Sequence, residues 1–280
     1  MAAILGGLGA AVAWASTTLC SSRSIRMVGA ASVVAWTALI GLAITIPLLI
    51  AAGDPHLGSR EIALLAIGGA GNIGGLLLSY TALRDGPVGL VAPIVSAEGA
   101  VAAAIAIAGG DPVTTGTLIA LLVVVVGVVL AGAVRSEHVA GERHLAPILL
   151  ACGAALSFGA SLYATGRIGH TLPVAWAVLP PRLVGVVVIA APLIVAGRLR
   201  LTRPASPLVA ASGVTEVVGF AAFSAGARHD IAVAAVLASL FGAVAAVVAR
   251  LLFGERLTRP QATGVTVIVA GVVALGLLQA

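Results

Sequence analysis

The sequence is poor in charged residues, and it contains no lysine. Only 9% of its 280 residues are charged, and all 15 basic residues are arginine. A soluble globular domain carries far more charge than this on its surface. The phosphate-binding loop of nucleotide hydrolases requires a lysine after its last glycine, so this chain is not expected to hydrolyse ATP.

Cysteines and aromatic residues are also scarce. Cys20 and Cys152 both lie in apolar runs, so they form no disulfide framework. The net charge of +5 is spread over short loops without a basic stripe, which argues against a nucleic-acid partner. No zinc-binding, catalytic-triad or nucleophile-elbow motif occurs, and we expect no catalytic residue, metal or cofactor.

The chain is instead dominated by ten long apolar runs. About 20 residues in a helix cover the roughly 30 Å of hydrocarbon in a bilayer. The sequence therefore predicts an all-α integral membrane protein with ten transmembrane helices embedded in the lipid bilayer. The runs cover approximately residues 2–22, 28–52, 62–83, 88–108, 113–134, 145–169, 171–196, 207–227, 231–253 and 258–279.

The two halves of the chain repeat each other. A shift of 144 residues aligns two arginine pairs, several glycines, and Asp111 with Glu255. Five helices per half is an odd number, so the repeats, residues 1–140 and 141–280, must be inverted in the membrane. Inverted repeats place a substrate site between them near the bilayer midplane. The aligned identities include Gly9/Gly153, Arg23/Arg167, Gly69/Gly213, Gly75/Gly219, Arg84/Arg228 and Gly127/Gly271.

A short charged hinge, residues 254–261, separates the last two runs. It is preceded by Phe253, reads Gly-Glu-Arg-Leu from Gly254, and is followed by Gln261 and Gly264. This pattern resembles the end of each half of EamA-type transporters in the drug/metabolite transporter superfamily. The acid Glu255 is predicted to cap the last helix or pair with a loop arginine, because acids are favoured at helix N-termini.

The resemblance implies an architecture and a function. Helices 1–4 and 6–9 would surround a central cavity, with helices 5 and 10 outside it as a scaffold or dimer surface. The protein would be a secondary transporter, a monomer or homodimer, in the cytoplasmic membrane. It would export a small metabolite, an amino-acid-like compound or a drug, with coupling to protons as one mechanism.

The orientation of the chain has two conflicting indications. The loops after odd-numbered helices hold eleven arginines, whereas the loops after even-numbered helices hold three. The positive-inside rule places the arginine-rich loops in the cytoplasm and both termini outside. The family resemblance implies that both termini are inside. In either case the termini share one side.

Four polar residues lie about ten residues into their helices, close to the bilayer midplane: Asn72, Glu98, Arg182 and Glu216. A charge at that depth costs about 2.5–3.5 kcal/mol on insertion scales, so such residues normally face a cavity or pair with each other. We expect all four to bind substrate. Glu98 and Glu216 are candidates for proton coupling, and the alternative for each is a neutral carboxyl bonded to the backbone.

Arg182 follows Pro180 and Pro181, which remove two amide donors and predict a broken helix. Either Arg182 neutralises a nearby acid at this kink, or it binds an anionic group of the substrate. If Arg182 pairs with Glu98, the cavity is nearly neutral and suits apolar or cationic compounds. If the two are held apart, the cavity suits a zwitterion.

Two aromatic residues complete the predicted substrate site. Trp14 and Phe158 are 144 residues apart, deep in the first helix of each half. Tyr80 and Trp176 lie nearer to helix ends, a position typical of interfacial anchors.

The rival function is an intramembrane enzyme that acts on a lipid-linked phosphate substrate. The nearest polar cluster for it is His138, Glu142, Arg143 and His144, which lies between the repeats and suits a solvated linker equally well. A non-transporting scaffold is a third hypothesis, but it would not need acids at the midplane. We therefore favour a transporter over an enzyme.

Overall fold

The protein is described by a computed structural model that covers residues 1–85, 94–132, 145–245, 248 and 259–278. Within these ranges the chain forms ten helices. Their bounds are α1 Ala2–Val28, α2 Ala30–Ala52, α3 Ser59–Asp85, α4 Glu98–Ala108, α5 Thr115–Gly132, α6 Leu145–Thr171, α7 Val174–Val195, α8 Ser206–Ala227, α9 Ile231–Ala245 and α10 Arg259–Leu278.

The helices have the dimensions and surface of membrane-spanning segments. Six of the described helices, α1, α2, α3, α6, α7 and α8, are long and apolar enough to cross a bilayer. Large apolar side chains remain on the outside of the bundle; Val195 is 89% exposed, for example. Lipid is the natural neighbour of such a surface, because soluble proteins rarely expose apolar patches of this extent.

Connections between helices are short. Gly29 alone separates α1 from α2, and its φ of 83° lies in the left-handed region that glycine adopts without strain. Its amide also closes α1 by donating to the Ile25 carbonyl at 2.9 Å. One residue therefore ends one helix, reverses the chain and begins the next.

The packing of the helices repeats between the two halves. Helix α1 packs along α8, and its equivalent α6 packs along α3. In the first contact the Trp14 indole lies directly against Gly219, and in the second the Phe158 ring lies against Gly75, where an added Cβ would be 2.6 Å from Cδ1. Trp14 and Phe158 are 144 residues apart, and so are Gly75 and Gly219. The predicted register is therefore present in the three-dimensional packing as well as in the sequence.

Helices α5 and α10 pack on each other beside the main bundle. Their contact is also reciprocal, since Gly127 of α5 lies against Ile268 and Gly271 of α10 lies against Val124. Small residues allow such close approach of helix backbones in a membrane. Neither helix contributes to the central cavity described below, in agreement with the expected position outside it.

Helix α7 differs from the expectation of a break at its two prolines. Pro180 and Pro181 lie inside a continuous helix, and the irregularity follows one turn later as a π-helical segment, Val186–Ala190. A local change of helical pitch accommodates the missing amide donors in transmembrane helices. The helix is therefore distorted beyond Arg182, and it is not unwound before that residue.

A turn at Ser239–Leu240 interrupts α9 near its centre, and a turn at Ser96–Ala97 directly precedes α4. The two turns lie one residue from exact equivalence in the 144-residue register. The turn at Ser96–Ala97 places Glu98 in the first turn of α4. Interrupted helices recur at the substrate sites of inverted-repeat transporters.

The reciprocal glycine contacts lead to a stability prediction. Gly75→Ala adds a methyl group against Phe158 and should destabilise the protein by about 1–3 kcal/mol, as overpacking does. Gly74→Ala is the matched control, because nothing lies within 4 Å of its added Cβ. Thermal unfolding in detergent should show a lower Tm for Gly75→Ala than for Gly74→Ala. Equal Tm values for the two alanine variants would contradict the packing.

Candidate functional site

A central cavity lies between helices of both repeats. Its volume is about 70 Å³, enough for about five water molecules or a small polar ligand. The lining residues are Thr17 and Ser21 of α1; Val33, Val34, Thr37 and Ala38 of α2; Asn72, Ile73, Leu76 and Tyr80 of α3; Pro181 and Arg182 of α7; and Glu216 of α8.

The cavity extends toward one surface of the bundle. Its walls come from the C-terminal halves of α1 and α3, the N-terminal half of α2, and the centres of α7 and α8. Because successive helices alternate in direction, the end of α1, the start of α2 and the end of α3 share one surface. We call this surface the α1–α2 end. It is the surface of the arginine-rich loops.

Arg182 provides the positive charge of the cavity. Its side chain is only 2% exposed, and its Cζ lies 4.4 Å from the ring centroid of Phe220. Gly41 of α2 leaves the space that the side chain occupies. Among the described residues, Nη2 has no hydrogen-bond partner. A buried guanidinium that lines a cavity and has an unpartnered donor is suited to binding an anionic group.

Glu216 provides a negative charge on the same wall. It interacts electrostatically with Arg182, but the two side chains form no ion pair within the described part of the chain. Asn72 lines the cavity as the first-half equivalent of Glu216. The structure therefore brings Asn72, Arg182 and Glu216 together, with the two charges unbridged.

Glu98 lies just behind this wall. It is buried, with 5% of its surface exposed, in the first turn of α4. It does not line the cavity, yet it is close enough to Glu216 for the two carboxyl groups to interact electrostatically. Like Glu216, it makes no ion pair with Arg182 among the residues described. The two predicted proton-coupling residues are therefore neighbours.

Trp14 and Phe158 do not line the cavity. Trp14 packs edge-on against Phe220, with 5.2 Å between ring centroids and an interplanar angle of 70°. Phe158 occupies the equivalent place in the other half, against Gly75. The structure places both in the interfaces between repeats, and the Trp14 ring contacts Phe220, which in turn stacks on Arg182.

Sequence reasoning missed the hydroxyl groups of the cavity. Thr17 and Ser21 are four residues apart, a spacing that places them on one face of α1. Thr17 shares a 2.7 Å hydrogen bond with Thr215, and Ser21 donates one of 3.1 Å to Ser212. The repeated spacing of hydroxyl residues was the available signal.

The structure also places Tyr80 differently from the prediction made from the sequence. It lines the cavity and interacts electrostatically with Glu216, whereas its position near a helix end had favoured an interfacial anchor. Trp176, in contrast, is at a helix end, where its Nε1 donates to the Gly53 carbonyl at 3.4 Å.

An ion pair joins helices at the opposite end of the bundle. Arg167 of α6 contacts Asp111 at 2.7 Å and also donates from Nε to the hydroxyl of Tyr163 at 3.1 Å. Nearby, Asp230 caps α9 by accepting from the Val233 amide, and burial raises the pKa of this carboxyl. These polar contacts hold together the end remote from the cavity.

Two features predicted from the sequence lie outside the described residues. They are residues 254–258 of the hinge, which spans residues 254–261, and the polar cluster at residues 138–144.

Comparisons with known proteins agree with this architecture. The model of the EamA-like transporter family matches residues 1–133 and 145–277. A crystal structure described only as that of a protein is similar, with a TM-score of 0.81, over 99% of this chain and 96% of its own; it shares 19% sequence identity. At that identity the likeness shows the fold alone. No curated relative matches the sequence significantly.

The position of the cavity leads to an accessibility prediction. In a Cys20→Ser, Cys152→Ser background, Ser21→Cys should react with a membrane-impermeant thiol reagent applied from the α1–α2 end. Ser161→Cys is the control; Ser161 is 1% exposed and bonded to the Gly68 carbonyl. Mass spectrometry of vesicles labelled from either side gives the answer. Labelling of Ser21→Cys only from the opposite side would contradict the described opening.

Proposed function

The chain belongs to the EamA-like transporter family, and from this premise we propose that it is a secondary active transporter that exports a small amino-acid-like zwitterion across the cytoplasmic membrane. Family membership makes it a multi-pass membrane protein that moves a small-molecule substrate. It is a transporter and not an enzyme, so the hypothesis of an enzyme acting on a lipid-linked phosphate is wrong.

The free guanidinium of Arg182 is the observation that carries this proposal. A buried charge at membrane depth normally pairs with an acid or faces a water-filled cavity. Arg182 lines the cavity and forms no ion pair among the described residues, and its Nη2 has no hydrogen-bond partner there. A substrate carboxylate can accept two parallel hydrogen bonds from such a group.

Glu216 supplies the complementary site for a substrate amine. It lines the same cavity as Arg182 and is not bridged to it within the described structure. An ion pair between them would have left a nearly neutral cavity suited to apolar compounds. Two separated poles of opposite charge fit an α-amino acid, whose own carboxylate and ammonium groups lie a few ångströms apart. The neutral side chains of Asn72 and Tyr80 can add hydrogen bonds.

The neighbouring carboxyl groups of Glu98 and Glu216 support coupling to protons. Two buried carboxylates repel each other when both are ionised. A proton or a substrate ammonium group can relieve that repulsion, and the two then compete for the same place. Binding of substrate would release a proton, and binding of a proton would release substrate, which is the requirement for exchange.

The direction of transport is supported by the arginine-rich loops. The positive-inside rule places those loops in the cytoplasm, and the cavity extends toward that same surface. A cavity facing the cytoplasm accepts substrate for export. This is the orientation in which both termini lie outside.

The substrate assignment is tested by removing the guanidinium. Arg182→Met keeps an unbranched apolar stem and should reduce transport of neutral amino acids in reconstituted vesicles by at least about tenfold, the effect of losing a charge-assisted hydrogen bond. Arg198→Met, at an exposed position in the α7–α8 loop, should transport normally. Full activity in Arg182→Met would refute the zwitterion assignment.

Proton coupling is tested through the two acids. Wild-type efflux should respond to an imposed pH gradient, and Glu216→Gln should abolish or strongly reduce that response, because a glutamine cannot release a proton. Glu98→Gln should weaken it through loss of the neighbouring charge. Glu61→Gln, in the first turn of α3, is the control. If Glu98→Gln and Glu216→Gln both retain the wild-type pH dependence, the carboxyl groups do not couple transport to protons.

A further inference from the structure

We propose that Phe220 is a positioning residue that holds the face of the Arg182 guanidinium and leaves its N–H edge free for the substrate carboxylate. The inference rests on the proposed function and deepens it, because it identifies what makes the cavity selective for a carboxylate.

The contact between the two residues is buried and direct. Arg182 Cζ lies 4.4 Å from the centroid of the Phe220 ring, and each residue is only 2% exposed. Phe220 does not line the cavity, whereas Arg182 does. The ring therefore lies behind the charged group, on the side away from a ligand.

The geometry of a guanidinium explains why a ring suits this place. All its N–H donors lie in one plane and point outward from the edge. An aromatic face attracts the cation through its quadrupole and uses none of these donors. A carboxylate in the same position would occupy the edge and compete with the substrate. Nη2 has no hydrogen-bond partner in the described structure, so the stack leaves this buried donor without a competing acceptor.

The surrounding residues fix both members of the stack. On one side, the Trp14 ring meets Phe220 edge-on at 5.2 Å. On the other, Gly41 of α2 admits the arginine, since a Cβ there would lie 2.9 Å from Arg182 Cγ and 3.2 Å from Nε. The guanidinium is thereby confined between the α2 backbone and the ring on α8.

The first half of the chain offers an internal comparison. The positions equivalent to Arg182 and Phe220, 144 residues earlier, hold Ala38 and Leu76. Both residues line the cavity. The half without a charge at this place also lacks the ring, so the aromatic residue accompanies the guanidinium and is not required by the fold of the repeat.

This comparison supplies the variant for a test. Phe220→Leu installs the residue of the other half and keeps an apolar side chain. Because the cation–π contact is present without a ligand, its loss acts on binding through the orientation of the guanidinium. Complete loss of that orientation should weaken the binding of a carboxylate by about 30-fold, the equivalent of a desolvated cation–π contact. Phe223→Leu is the matched control, because Phe223 is fully buried and lies 6.2 Å from the Trp14 ring without contacting Arg182.

The measurement is transport kinetics of the full chain in proteoliposomes, with radiolabelled L-alanine, L-threonine and L-leucine as probes. Phe220→Leu should raise KM by about 30-fold and leave the maximal rate within about twofold of wild type. A purely structural defect would lower the active fraction, and hence the maximal rate, at unchanged KM. Phe223→Leu should keep KM within about threefold of wild type.

A second variant tests the inference independently if Phe220→Leu folds poorly. Gly41→Ala should displace the guanidinium from the ring without changing the ring itself, and it should also raise KM. If wild type transports none of the three probes, the proposed function fails and this inference fails with it. If wild type transports a probe but Phe220→Leu and Phe223→Leu change KM equally, or Gly41→Ala leaves KM unchanged, the inference fails while the function stands.

Discussion

The unpaired guanidinium of Arg182, buried at the depth of the membrane, is the constraint that organises this structure. A charge in that position is costly unless its surroundings compensate for it. Phe220 stabilises its face, Glu216 lies close enough to attract it, and Gly41 leaves it room. None of these contacts occupies Nη2. The protein therefore keeps a buried hydrogen-bond donor without a partner in the described structure, on a side chain that lines the cavity.

This charge lies on a frame that is otherwise nearly symmetric. The reciprocal contacts of Gly75 and Gly219 with aromatic rings show that the two repeats pack by the same rule. The repeats differ at the cavity. Ala38 and Asn72 of the first half occupy the positions that are equivalent to Arg182 and Glu216 of the second. The two repeats thus share one packing pattern, and the different side chains make the cavity chemically polar.

Much of this architecture follows from the sequence, because its two strong signals can be read along the chain without knowledge of the fold. Continuous apolar runs fix the helices, and the 144-residue register fixes which helices are equivalent. Depth in a run correctly brought Asn72, Arg182 and Glu216 together, since polar groups at one depth in a bundle have only its interior to face. The depth of a residue in its helix does not specify the direction in which its side chain points, however. It therefore did not separate the cavity residues from Trp14, which packs against Gly219 instead.

Tyr80 and Thr17 were missed for a related reason. A hydroxyl group can bond to its own helix, so its presence in an apolar run does not require a cavity. The proline pair was misleading because a π-helical segment absorbs its effect one turn later. What remains to be tested is the chemistry of the cavity. The most direct measurement is calorimetric binding of an amino acid and of its amide to the purified wild-type protein. The account predicts that the amino acid binds and that the amide, which lacks the carboxylate but keeps the ammonium group, binds at least about tenfold more weakly; equal affinity of the two ligands would contradict it.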